Sequence, residues 1–132
     1  MRWISVVAAL AIAGAAIGQE RSKVVERLYE TMFGLKLTAL ICNDFVRGAP
    51  IEYSRQIDRY WSSIGGAKQS DPAALVQENQ MKIKAMHRDD ARSLCINMLT
   101  TALEKYEAAS KGSIEVTARL GKIPPVFVGR IW

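Results

Sequence analysis

Two cysteines, Cys42 and Cys95, stand 53 positions apart in a chain that contains no others. A bond between them would tie together segments from opposite halves of the sequence, so their chemistry governs what the chain can fold into. Three chemistries compete: a reactive thiol, a metal site and a disulfide. A metal site needs further ligands, and the single histidine, His87, has no CxxC or HxxxH partner near it. A catalytic thiol needs a neighbouring base, and none lies close in sequence. The compartment then weighs on the choice.

The chain opens "MRWISVVAALAIAGAAIGQE". Met1 and Arg2 form a short positive region, and Ile4 to Ile17 is an uncharged run of about fourteen residues rich in small side chains. That is the three-part layout of a secretory signal peptide over residues 1–18, with Ala16 and Gly18 at the −3 and −1 positions and Gln19 as the first mature residue. Cutting after Ala15 or Ala16 fits nearly as well. The alternative is an uncleaved N-terminal anchor, for which the run is short against the roughly 20 apolar residues a membrane span requires. Export to the periplasm or outside the cell is the expected destination. In an oxidising compartment, two thiols in a small domain are far more often a disulfide than a site. Closing a loop of about 54 residues stabilises the fold by about 4 kcal/mol on the chain-entropy estimate, provided the two Cα atoms come within about 7 Å.

Removing 18 of the 132 residues leaves 114, enough for one small domain with a modest core. Cleavage also removes Arg2 from the 18 basic side chains, leaving 17 against 13 acidic and lowering the net charge from +5 to +4. The basic residues are spread out, a pattern suited to solubility or to acidic envelope components. No aromatic–basic motif points to nucleic acid.

The apolar spacing is helical over most of residues 19–110, and the expected fold is all-α: a disulfide-clamped bundle of four to five helices over those residues, with an extended tail over 111–132. Arg21 to Phe33 places Val24, Val25, Leu28, Met32 and Phe33 on one face, and Gly34 ends or thins that helix. Thr38 then reads as a cap, with Leu40, Ile41 and Phe45 buried and Gly48 as the stop. A helix from Pro50 carries the stripe Tyr53, Ile57, Tyr60, Trp61 and Ile64, ended by Gly65 and Gly66. "SDP" makes Asp71 a cap and Pro72 the first residue of a helix to about Met86, with a face of Leu75, Val76, Ile83 and Met86. Asp90 reads as the cap of the strongest helix, whose face is Leu94, Cys95, Met98, Leu99, Ala102 and Tyr106. Both cysteines therefore fall on apolar faces. After Gly112 the pattern fades and Pro124–Pro125 follows, so the tail either packs Phe127 and Trp132 on the bundle or runs loose.

No phosphate loop, Ser-His-Asp spacing or paired metal ligands is present, so neither catalysis nor a metal or other cofactor is expected. His87 beside Asp89 and Asp90 reads as surface or capping residues before it reads as an acid–base cluster. The aromatic stripe reads as core before it reads as a ligand platform.

"CNDF" at 42–45, followed by a helix with an aromatic stripe and a second cysteine about fifty residues on, resembles the HdeA/HdeB periplasmic acid-stress chaperones. The resemblance covers roughly Thr38 to Tyr106. It implies that Cys42 and Cys95 are the bridging pair, and that Tyr53, Ile57, Tyr60 and Trp61 supply apolar surface for homodimerisation and for unfolding clients. In acid, carboxylates take up protons. Asp44, Glu52, Asp58, Asp89 and Asp90 would then lose arginine partners such as Arg47, Arg55 and Arg92, and the positive chain would loosen by self-repulsion. The competing expectation is an exported binding module, an inhibitor, immunity protein or envelope adaptor, that recognises one specific partner. With the leader cleaved, no membrane span is expected.

Overall fold

The computed structural model describes residues 23–47, 50–64 and 72–127. The leader, Gly48, Gly65, Gly66, Asp71 and Trp132 lie outside the described residues. Four helices are present among the described residues: α1 over 23–42, α2 Pro50–Ser63, α3 Ala73–Lys84 and α4 Arg88–Arg119. No strand occurs among them. The expected all-helical, disulfide-clamped bundle is therefore what the chain forms.

Helix α1 runs straight through the break expected at Gly34. Leu28, Met32, Leu35, Ala39 and Cys42 recur at alternating steps of four and three and are all fully or almost fully buried, which makes one continuous seam. Thr38 is no cap. Its hydroxyl donates to the Gly34 carbonyl at 2.7 Å, satisfying a polar side chain inside the helix. Leu40 and Phe45, expected in the core, are only half-buried. A methyl group added at Gly34 or at Gly112 in α4 would meet nothing within 4 Å. Gly34→Ala and Gly112→Ala are each expected to stabilise the fold by about 0.5–1 kcal/mol, read as a rise in the urea midpoint.

Cys42, the last residue of α1, is bonded to Cys95 in the second turn of α4, with the Cα atoms 5.6 Å apart. From that strap the two helices run antiparallel. Thr38 shares a groove with Met98, Thr31 with Lys105, and Val24 with Gly112. Helix α2 returns along α1, with Asp58 against Lys36 and Trp61 against Tyr29. Helix α3 lies near the strap, where the Gln80 side-chain amide donates to the Leu40 carbonyl at 3.2 Å and satisfies one free acceptor at the end of α1. α3 is thinly packed. Ile83 is its one buried side chain, whereas Leu75 and Met86, expected on its inner face, are exposed. Pro72 is the cap residue and not the first helical residue.

Helix α4 starts three residues earlier than expected. His87 is its cap, with Nδ1 accepting from the Asp89 backbone N–H at 3.3 Å, while Asp90 sits in the first turn. Leu94 is exposed, and Leu103 takes a place in the core that the periodicity had not been given. The helix also continues past residue 111, where an extended tail was expected, to Arg119. The reason lies in Ser113 and Thr117, both completely buried. Ser113 Oγ donates to the Ser110 carbonyl at 2.9 Å and Thr117 Oγ1 to the Ser113 carbonyl at 2.9 Å. Polar residues thus extend the buried seam without unmet hydrogen bonds, where an apolar pattern would look for leucine. The helix stops at Gly121, whose φ of +81° suits glycine. The Gly121 N–H donates to the Ala118 carbonyl at 3.0 Å and the Lys122 N–H to the Thr117 carbonyl at 3.2 Å, closing a Schellman motif. The extended segment begins only there.

Candidate functional site

Tyr53, Ile57 and Tyr60 form an apolar row on α2, and all three are buried; Trp61 is half-buried. The stripe expected to offer a binding surface therefore faces inward. Part of what covers it is the segment after α4. The Phe127 ring sits 4.4 Å from the Tyr53 ring and 5.3 Å from the Tyr106 ring, centroid to centroid. The Tyr60 hydroxyl donates to the Lys122 carbonyl at 3.3 Å, and the Tyr106 hydroxyl donates to the Pro125 carbonyl. Two phenols and one phenyl ring thus hold residues 122–127 across α2 and α4. Of the two courses open to the tail, Phe127 takes the packed one.

These phenols are shielded from ionising. Burial pushes the Tyr53 hydroxyl up. It does the same for Tyr60, opposed by a hydrogen bond with Thr117. Burial raises Tyr106 furthest, opposed by a hydrogen bond with Ser110 and reinforced by Tyr60. A phenol whose folded value lies above its unfolded value of about 10 stabilises the fold fully below that pH and loses the contribution as pH rises through the folded value. Stability is therefore expected to be flat to about pH 9 and to fall steeply above about pH 10. Phenolate absorbance and helical circular dichroism, followed together, should change in one step; phenolate absorbance rising while helix content holds would contradict this.

Where the same stripe meets α1, Trp61 lies 4.7 Å from Tyr29, and Tyr29 lies 6.1 Å from Phe33. Beneath this aromatic slot the Lys36 ammonium, only 6% exposed, contacts the Asp58 carboxylate at 2.8 Å; Asp58 is 56% exposed. Asp58 was expected to face an arginine, yet its partner here is a lysine from α1. That lysine occupies a position four residues after Met32 in the buried seam, the one sequence signal that could have found it.

The remaining acids expected to sense pH are scattered. Glu52 lies 3.8 Å from Arg55 and 3.7 Å from Arg59, exposed contacts of little energetic weight. Asp44 lies in the turn after α1, and Asp89 and Asp90 lie in the first turn of α4, where they complement the helix dipole. None of these three makes an ion pair among the described residues, so the contacts expected with Arg47 and Arg92 do not form. No group of three or more potential metal-ligating side chains occurs among the described residues, and no described helix is long and apolar enough to cross a membrane. No known protein family, curated protein or solved structure matches the chain.

Proposed function

We propose that the protein is exported and non-enzymatic and acts as an acid-stress chaperone of the HdeA/HdeB kind, exposing apolar surface at low pH to hold unfolding clients. The observation that supports this most is the covered stripe: Tyr53 and Tyr60 lie against residues 122–127, which follow α4. That cover is held by hydrogen bonds and one ring, whereas α1 and α4 are joined covalently. At about pH 2–3 carboxylates are protonated. An already basic chain then carries still more net positive charge and repels itself. The weakest cover lifts first, while the disulfide keeps the helices from dispersing.

The test uses the disulfide-intact protein with a client unfolded at about pH 2–3, scored by light scattering and by fluorescence of an apolar-surface dye. Suppressed scattering with a rise in dye signal supports the reading; unaltered client aggregation removes it. A second reading, a binding module for one partner, draws on α3, where Leu75 and Met81 are exposed at neutral pH. One stoichiometric partner captured at neutral pH would favour that module over the chaperone.

A further inference from the structure

Beside the disulfide, three segments line a cleft of about 410 Å³ that shares no residue with the C-terminal cover. The turn after α1 contributes Asp44 and Arg47, the end of α3 contributes Lys84, and the start of α4 contributes Arg88 and Arg92. Four cationic side chains thus line one cavity against one carboxylate. Arg88 and Arg92 are one helical turn apart, which points both the same way, and Asp89 and Asp90 do not line the cleft.

The cations here are unlike several others on the surface. Arg55, Arg59, Lys82 and Arg119 each contact a carboxylate, whereas none of Arg47, Lys84, Arg88 and Arg92 is ion-paired among the described residues. All four are exposed, and their shared positive potential favours an anion that enters the cavity. The floor is apolar. Val46, Ile83 and Ala91 are almost completely buried, and the Cys42–Cys95 bond joins the two elements that bear Arg47, Arg88 and Arg92. The volume falls in the range of small-molecule sites, about 300–1,000 Å³.

The geometry points to a binding site for an organic phosphate: a group with two negative charges for the arginines, attached to a short apolar body for the floor. Guanidinium groups match phosphate oxygens in paired hydrogen bonds. With a net lining charge near +3, a dianion neutralises the cleft better than a single carboxylate does. The site stands apart from the α2 stripe and does not depend on the chaperone reading. A soluble phosphate ester and a lipid headgroup share this chemistry.

Calorimetric titration of the disulfide-intact protein at neutral pH, with inorganic phosphate, butyl phosphate and monomeric dihexanoyl phosphatidate, tests this. Butyl phosphate should bind at least about tenfold more tightly than inorganic phosphate because of the floor. A further gain with phosphatidate identifies a headgroup as the source, and its absence identifies a soluble ester. Arg88→Gln with Arg92→Gln should weaken binding by about tenfold or more, while Lys105→Gln with Lys111→Gln, on a different stretch of α4, should change it less than about threefold. Helical circular dichroism confirms that both variants fold. The inference is overturned if no phosphate probe binds below about 10 mM, if both double variants weaken binding alike, or if only an acidic peptide binds.

Discussion

Replacing Cys42 and Cys95 together with alanine is expected to lower stability by about 4 kcal/mol, seen as a large drop in the urea midpoint with helices still forming in the absence of denaturant. The bond closes the chain over α2 and α3, and a loop of that length gains much conformational freedom in the unfolded state once the bond is gone. Both sulfurs are fully buried, so the variant also loses packing there. Against the roughly 5–15 kcal/mol typical of a small domain, this is a large fraction. Reduction of the wild-type protein should reproduce the effect. A midpoint within experimental error of the wild type would mean that the α1–α4 seam holds unaided.

Phe127→Ala should cost about 3 kcal/mol, a fall in melting temperature of roughly 10–20 °C for a domain of this size. The ring fills the space between Tyr53 and Tyr106, and the hydrogen bonds at Lys122 and Pro125 alone hold the segment poorly. The variant should bind an apolar-surface dye at neutral pH, where the wild type does not. Val126→Ala, one residue away and 76% exposed, should do neither. Equal behaviour of the two variants would show that the segment does not cover the stripe.

The disulfide, the all-helical class and the α2 stripe were legible because each rests on a short-range pattern: two cysteines on apolar faces, and aromatics at helical spacing. The helix ends were harder. Gly34 looked like a stop, but the seam from Leu28 to Cys42 outweighs one glycine. Past Gly112 the periodicity faded only because Ser113 and Thr117 carry it, their hydroxyls satisfied within α4. Gly121 followed by Pro124–Pro125 was a readable stop signal nine residues further on. The site was less legible still. An aromatic row says that something covers it, not what; that Phe127 does so depends on the chain turning back after α4. The grouping of Arg47, Lys84, Arg88 and Arg92 comes from three segments brought together by folding, and no local spacing encodes it.

The position of the strap divides the backbone into two classes of bond. A protease cutting anywhere between residues 42 and 95 leaves two fragments that still travel as one molecule until a reductant is added. A cut between Gly121 and Phe127 is different, since nothing covalent retains the released end. Digestion between the two cysteines thus releases nothing on a non-reducing gel, whereas loss of the cover is permanent and would leave the row on α2 bare.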